Sequence, residues 1–211
     1  MALSSFRRTL DSAADLAALI GTPSELAIKK ERMELDQHMR TFLAESPFVL
    51  VGTVGRDGRL DVSPRGDAPG IATVIDSKTL VIPERAGNRR ADSLRNIIET
   101  GRVGLLFMRP GTAETLRVNG RACVMRDEEF LVPLTVQGKT PQVAIGVEIE
   151  ECFLQCGKAL IRSKLWEGLT SSCPSALPDF AQILADQTQI DGQTAETLRV
   201  HIEESYTNRL Y

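Results

Sequence analysis

Short apolar runs separated by turn signals occupy the middle of the chain, a pattern typical of β-strands. The apolar run FVLVGTV (48–54) is followed by the turn signal GRDGR and by LDVSP, which together predict a hairpin. Further strands are predicted at GIATVID, TLVIP, RVGLLFM, TLRVNGRACVM and QVAIGVEIEEC. Six or seven short strands joined mostly by tight turns favour a small antiparallel barrel over a parallel α/β sheet.

Both ends of the chain have helical periodicity instead. Residues 9 to 20 predict one helix, and Thr22 as N-cap with Pro23 at the first helical position predicts the start of another. A helical apolar face is formed by Leu35, Met39, Phe42 and Leu43. From about Phe153 the sequence predicts helices in FLQCGKALIRSKLW, LPDFAQILADQ and TAETLRVHIEESY, with a surface loop at 168–178. The predicted fold is mainly β with helices (α+β).

One predicted helix interrupts the strands, and its beginning is crowded with cations. The segment PERAGNRRADSLRN (83–96) contains Arg85, Arg89, Arg90 and Arg95. Each cation at the positive end of a helix is unfavourable by roughly 0.3–1 kcal/mol. With Asn88 as N-cap, Arg89 and Arg90 fall in the first turn, where backbone N–H groups lack partners. A phosphate or similar dianion would satisfy the donors, the dipole and the guanidinium groups together.

An ordinary surface helix is the alternative interpretation of this segment. In it, Asp92 or Glu84 pairs with one of the arginines, and Arg95 faces solvent. In either case the apolar face consists of Leu94, Ile97 and Ile98, and Gly101 ends the helix.

A second cation lies in the glycine- and proline-rich stretch SPRGDAPG (63–70), which places Arg65 at the end of a strand. Such a loop lets the backbone approach a flat ligand closely, although a plain turn with a solvated arginine is equally compatible. The sequence contains neither G-x-G-x-x-G nor G-x-x-x-x-G-K-[ST]. A phosphate site here would therefore differ from the dinucleotide and nucleoside triphosphate kinds.

Composition narrows the possible partners. The formal net charge is -3 with 42% hydrophobic residues, which gives no general reason to expect nucleic acid or a membrane surface as partner. No apolar run reaches the roughly 18–20 residues that span a bilayer. The N-terminal stretch carries Asp11 and Asp15 within its apolar pattern, unlike a secretory signal. We therefore expect a cytoplasmic protein.

The cysteines and histidines do not predict a metal site. Zinc ligands usually occur as two tight pairs, whereas here only Cys152 and Cys156 are close in sequence. His38 and His201 lie far from that pair and are expected on charged helical faces.

Taken in order, these segments resemble the FMN-binding split barrel of the pyridoxamine 5'-phosphate oxidase-like family. The resemblance rests on LVIPE, RAG, NRR, VGLLF and ETLRVNGRA, covers about residues 46 to 166 and is strongest from Thr79 to Ala122. It implies a small antiparallel split β-barrel with N- and C-terminal helices, and a homodimer with FMN at the interface. The chain would then divide into an N-terminal helical extension (1–45), the FMN-binding split barrel (46–166) and a C-terminal helical region packed on the same domain (167–211).

The resemblance also implies which residues contact the cofactor. The phosphate would be held by Asn88, Arg89 and Arg90. Pro83 and Glu84 would line the ribityl chain or the ring, and the isoalloxazine would be edged by Ser63, Pro64, Arg65 and Gly66. Thr115 falls where the family places a polar side chain near the flavin.

The segment CGKALIRSKLW (156–166) resembles one found in a subgroup of the family. It would place Lys158, Arg162 and Trp166 against the flavin or the substrate across the dimer. These three residues also share one helical face, so that packing alone, with Trp166 in the core, is the alternative.

Two departures separate the chain from the true vitamin B6 oxidases. Those enzymes have tyrosine and threonine where this chain has Pro83 and Glu84. Their C-terminal tryptophan and arginine have no counterpart in HIEESYTNRLY.

The function implied is therefore an FMN-dependent oxidoreductase of unassigned small-molecule substrate, with reduced nicotinamide as a possible electron donor. A non-catalytic flavin carrier or sensor is one alternative, and a haem- or deazaflavin-binding relative of the same barrel is another.

Overall fold

The structure is a computed structural model that describes residues 5–167, 178–209 and 211. Most of the surface loop predicted at 168–178, including Cys173, lies outside the described residues. None of the helices in the described part of the chain is long and apolar enough to span a bilayer.

Within the described residues, seven strands form one sheet in which every pair is antiparallel, in the order β2-β1-β5-β6-β7-β4-β3. The strands are β1 (Phe48–Val54), β2 (Leu60–Gly66), β3 (Thr73–Val74), β4 (Thr79–Pro83), β5 (Arg102–Met108), β6 (Thr115–Met125) and β7 (Ala144–Gln155). The mixed α+β fold and the antiparallel sheet predicted from the sequence are confirmed.

The helices lie before, within and after this sheet. They are α1 (Ala13–Ile20), α2 (Glu25–Lys29), α3 (Gln37–Ala44), α4 (Asp92–Thr100), α5 (Glu128–Leu131), α6 (Lys158–Ser163), α7 (Phe180–Thr188) and α8 (Ala195–Asn208). The sequence analysis missed α5 and the 3-10 turn Val132–Leu134 that follows it. The division into an extension, a barrel and a C-terminal region stays a prediction.

Two predicted boundaries are wrong, each for a local reason. Helix α2 begins after Ser24 rather than Thr22, because the Ser24 hydroxyl accepts the Ala27 N–H at 3.3 Å and so caps the helix. The helix expected from Phe153 does not start there, because β7 continues to Gln155 in pairing with β6.

The core lies on one face of the sheet. Alternate β1 residues Val49, Val51 and Thr53 turn inward and are buried. Helix α3 covers one side of this core with its predicted apolar face, and Leu35, Met39, Phe42 and Leu43 are all buried. Asp36 caps the helix by accepting the Met39 N–H at 2.9 Å. Burying each such side chain is worth about 1.5–3 kcal/mol.

The edge of β7 beyond its pairing with β4 is covered by the segment that leads into α3. Arg32 and Cys152 form an antiparallel bridge, with N–O distances of 3.0 and 2.7 Å in the two directions. Lys30 Nζ donates to the Leu154 carbonyl at 2.9 Å. The N-terminal segment thus satisfies backbone groups that an open sheet edge would expose.

Cys152 should resist alkylation in the native protein. Burial raises the pKa of the Cys152 thiol to about 11, so at pH 8 its thiolate fraction is about 100-fold below that of a thiol with a pKa near 9. Exposed Cys156 is the internal control. Peptide mapping after timed iodoacetamide treatment should show Cys156 modified and Cys152 protected until the protein unfolds. Equal rates at the two positions would contradict this account of the core.

Candidate cofactor site

The arginine-rich segment precedes helix α4 as a loop, and this corrects the predicted helix start. The Asn88 side chain accepts the Arg90 N–H at 3.0 Å and closes a turn of its own. Arg89 and Ala91 adopt left-handed backbone conformations (φ 62° and 55°) that a helix cannot contain. The helix therefore begins at Asp92, and Arg89 and Arg90 project from the loop rather than from a first helical turn.

The charges of this loop are partly compensated. Arg90 donates to Asp92, which raises the pKa of the Arg90 guanidinium. Arg95, exposed as predicted, lies 3.7 Å from the same carboxylate. Arg89 makes no hydrogen bond or ion pair within the described part of the chain. At the N-cap, Ala91 offers no side-chain hydrogen bond, so the first N–H groups of α4 are not capped by a side chain.

The buried face of α4 differs from the predicted one. Ile97 is buried and Leu94 packs partly against the core, but Ile98 is 71% exposed. Asn96 turns inward instead, and its Nδ2 donates to the buried Thr53 hydroxyl at 3.0 Å. Gly101 ends the helix in the left-handed conformation, as predicted, and its N–H donates to Ile97 O at 2.8 Å.

Ser93 links α4 to strand β2, a contact that sequence reasoning missed. Its side chain is buried, donates to Asp61 Oδ2 at 2.6 Å and lies 2.6 Å from Ser63 Oγ. Asp61 and Ser63 are 32 and 30 residues away along the chain. No local sequence signal joins residues so distant, whereas the two-residue spacing within β2 does put Asp61 and Ser63 on one face.

Three of the predicted cofactor residues meet in one network. Arg65 Nε donates to Glu84 Oε2 at 2.8 Å, and Arg65 NH1 donates to Ser63 Oγ at 2.9 Å. Both members of the ion pair are mostly buried. The Arg65–Glu84 pair joins the end of β2 to the residue after β4, which are far apart in the hydrogen-bonded order of the sheet. It also neutralises the charge of Arg65.

A second buried pair joins the same two segments one step further along. Arg85 Nε donates to Asp67 Oδ2 at 2.7 Å, with side-chain exposures of 15% and 7%. Arg85 NH1 also donates to the Leu134 carbonyl at 2.8 Å. Tyr211 donates its hydroxyl to Asp67 Oδ1 at 3.2 Å, and the charge of Asp67 raises the pKa of the Tyr211 phenol. Together the two pairs cross-link the strands that carry the candidate site.

The remaining predicted residues occupy different surroundings. Pro64 and Gly66 lie on the outward face of β2, whereas Pro83 is buried in β4. Thr115 is buried at the start of β6, where its hydroxyl is 3.4 Å from Gln155 Oε1. It lies on the same sheet row as Gly66, through Phe48 and Met108. The end of β2 and the start of β6 therefore lie at the same end of the sheet.

The C-terminal group does not join this network in the described part of the chain. Lys158 and Arg162 are exposed on α6, without a hydrogen bond or ion pair to another described residue. Trp166 lies beyond the helix, half-buried, and its indole N–H donates to the Thr112 carbonyl at 2.8 Å. The indole thus docks on the turn between β5 and β6, and Trp166 is not the core residue that the packing alternative predicted.

A polar cleft of about 780 Å³ separates the β1–β2 turn from the beginning of α4. Its volume is within the range of small-molecule sites. The charged residues lining it balance, four basic against four acidic: Arg56, Arg59, Arg90, Arg95, Asp57, Asp61, Asp92 and Glu99. An anion in this cleft would therefore depend on the adjacent Arg89 for uncompensated positive charge.

Residues 35–156 match the sequence profile of the family described as pyridoxamine 5'-phosphate oxidase, which is more than half of the chain. The chain belongs to the pyridoxamine 5'-phosphate oxidase family. This match agrees with the resemblance over residues 46–156, extends it through α3 to residue 35, and ends before residues 157–166. No curated protein matches the chain.

Solved structures show partial likeness to this member of the family. HupZ from Group A Streptococcus is 18% identical, with 57% of this chain and 93% of that chain covered and a TM-score of 0.48. A putative pyridoxamine 5'-phosphate oxidase from Lactobacillus delbrueckii is 23% identical (58% and 95% covered, TM-score 0.45). General Stress Protein 26 from Bacillus anthracis is 14% identical (55% and 88% covered, TM-score 0.44). At these TM-scores the likeness carries no functional inference.

Removing one member of the buried Asp67–Arg85 pair should destabilise the protein strongly. In Arg85→Ala the Asp67 carboxylate loses its charged partner, and the free energy of unfolding should fall by about 3–5 kcal/mol. Arg199→Ala is the matched control, because about half of each side chain of the Arg199–Asp179 pair is exposed and such pairs contribute about 0–1 kcal/mol. Urea unfolding followed by circular dichroism measures both variants. Equal losses would contradict the cross-linking role of the pair.

Proposed function

We propose that the protein is an FMN-binding oxidoreductase that works as a homodimer in the cytoplasm, with the flavin phosphate held by the loop of Asn88, Arg89 and Arg90. The observation that carries the proposal is Arg89, a cation without a partner in the described part of the chain, next to a helix start without a side-chain cap. Family membership supports the same assignment.

The donor set fits a phosphate. Guanidinium groups bind two phosphate oxygens at once, and the left-handed backbone at Arg89 and Ala91 turns successive N–H groups in a new direction, as in backbone anion nests. Asp92 competes with a phosphate for Arg90, because the Asp92 carboxylate already accepts a hydrogen bond from the Arg90 guanidinium. In this arrangement Arg89 supplies the uncompensated charge, and Arg90 contributes by sharing its guanidinium between Asp92 and the phosphate.

The other predicted residues would shape the remainder of the site. Arg65, fixed by Glu84 and Ser63, offers a rigid edge of β2 against which a flat ring can lie. Because Glu84 compensates its charge, Arg65 is a weak stabiliser of negative charge on that ring. Exposed Lys158 remains available for this role, and it would reach the ring from the partner chain of the homodimer.

FMN, when bound, supplies the electron-transfer chemistry, while the protein positions the reacting molecules and sets the local charge. The protein would place a small-molecule substrate or reduced nicotinamide against the exposed ring face and exclude water there. The chain offers no dedicated acid or base in the Ser63–Arg65–Glu84 network, since both charged groups are paired with each other.

That same charge balance favours a second candidate, a flavin-binding carrier or sensor without turnover. Anaerobic mixing of the FMN-loaded protein with NADPH separates the two. Bleaching of the flavin absorbance within the turnover time of ordinary enzymes, with reoxidation by a definite acceptor, supports the oxidoreductase. A flavin that stays oxidised with NADH, with NADPH and with candidate substrates supports the carrier.

The phosphate assignment predicts unequal effects of the three arginines on FMN binding. Loss of a charge-assisted contact costs about 1.5–3 kcal/mol, which corresponds to a roughly 10- to 150-fold higher Kd. We expect this for Arg89→Ala and, to a similar or smaller extent, for Arg90→Ala. Arg95→Ala, in the helix α4 that follows this loop, is the control and should change the Kd less than about threefold.

Quenching of FMN fluorescence on titration with each variant measures these constants. Riboflavin, which lacks the phosphate, should bind all four proteins equally weakly. Uniformly small effects of the three substitutions would place the phosphate elsewhere, and a wild-type protein that binds no FMN would refute the proposed function.

A further inference from the structure

The N-terminal arm, defined here as residues 5–29, is apolar but buries none of its residues in its own chain. It contains α1 and α2, both with well-formed starts, since Ser12 accepts the Asp15 N–H and Ser24 accepts the Ala27 N–H. Its exposed large apolar residues are Phe6, Leu10, Leu16, Leu19, Ile20, Leu26 and Ile28. An amphipathic helix whose apolar side meets no core requires a partner for stability in water.

The outward face of the sheet carries a matching uncovered surface. A trough of about 390 Å³ runs across β2, β1, β5 and β6. One row of paired residues crosses these four strands along the trough, in the order Val62, Gly52, Gly104 and Asn119. The two glycines leave this row without side chains, while Leu60 and Val62 beside it are 81% and 67% exposed. The trough is therefore concave and apolar.

Charged residues surround this trough on the β6 and β7 side. Arg102 donates to Glu150 at 2.6 Å, and Arg121 donates to Glu148 at 2.7 Å. An apolar centre with a charged rim is the usual composition of a protein–protein interface. The arm also combines apolar residues with charges of both signs, Arg7, Arg8, Asp11 and Asp15.

The arm leaves the barrel on the same face as the trough. The arm is held at β7 by the Arg32–Cys152 bridge that follows it. The Phe153 ring lies near two cations: its centroid is 5.1 Å from Lys30 Nζ and 5.4 Å from the guanidinium carbon of Arg117. Phe153 is two residues from Glu151, which pairs with Asn119 of the trough row. Both side chains therefore point to one side of the sheet, and the arm begins at β7, the strand next to β6 at the border of the trough.

We infer that the arm of one chain packs into the trough of a second copy, so that the N-terminal extension is the dimerisation element. One two-fold contact of this kind covers both arms and both troughs, as an isologous interface requires. Residues 5–29 also supply the 20–30 residues per side, on the order of magnitude, that a standard interface uses. This inference rests on the homodimer of the proposed function and names the surface that forms it.

Sedimentation velocity over a range of protein concentrations tests the arm and the trough separately. Wild-type protein should sediment as a dimer. Leu19→Glu with Ile20→Glu in the arm, and Val62→Glu in the trough, should each raise the dimer dissociation constant about tenfold or more, as expected for loss of a central apolar contact. Val200→Glu is the control, because Val200 is as exposed as Val62 but lies on α8. Circular dichroism confirms that each variant is folded.

A photo-cross-linking amino acid in place of Leu19 tests where the arm lies. Cross-linking is carried out in a mixture of isotope-labelled and unlabelled chains and mapped by mass spectrometry. Peptides from β1, β2 or β5 joined to the arm of a differently labelled chain support the inference. A monomeric wild type, a dimer unaffected by the arm or trough substitutions, or cross-links only within one chain would overturn it.

FMN titration of the same samples keeps the two proposals apart. A dimer that dissociates in the arm variants but binds no FMN would support the role of the arm and refute the cofactor. FMN binding by a wild-type monomer would support the cofactor and refute the role of the arm.

Discussion

The candidate site depends on the contact between the end of β2 and the end of β4. These strands are separated by four others in the hydrogen-bonded sheet, and two ion pairs hold them together: Arg65 with Glu84, and Arg85 with Asp67. Because all four side chains are largely removed from water, each charge needs its partner. The loop of Asn88 to Arg90 continues directly from this contact, so its position is fixed by the same pairs.

Charge compensation also decides what each arginine can do. Arg65 and Arg85 have buried carboxylate partners, so their positive charge serves mainly to hold structure, whereas exposed Arg90 pairs with Asp92 at the surface. Arg89 differs, because its guanidinium has no carboxylate partner among the described residues. The unfavourable interaction of these arginines with the helix dipole is thus smaller than the sequence suggests, since Arg89 and Arg90 precede the helix and Asp92 occupies its first turn. A bound phosphate remains the simplest partner for Arg89.

Patterns that reflect local physics could be predicted from the sequence. The apolar run FVLVGTV predicted β1, the alternation in TLRVNGRACVM predicted β6, and the periodicity of Met39 and Phe42 predicted the buried face of α3. Contacts between distant segments could not be predicted this way. The helix start was misplaced because the Asn88 side chain bonds the Arg90 N–H instead of capping a helix. Ser93, Asp67 and Tyr211 were missed because their partners are brought close only by the closing of the sheet.

A crystal structure of the protein grown with FMN tests whether the Asn88–Arg90 loop holds the phosphate. We expect electron density for the phosphate within hydrogen-bond distance of the Arg89 guanidinium, with the ring along the outer edge of β2. Density for FMN with its phosphate bound to another loop, or a site that stays empty at saturating FMN, would contradict it.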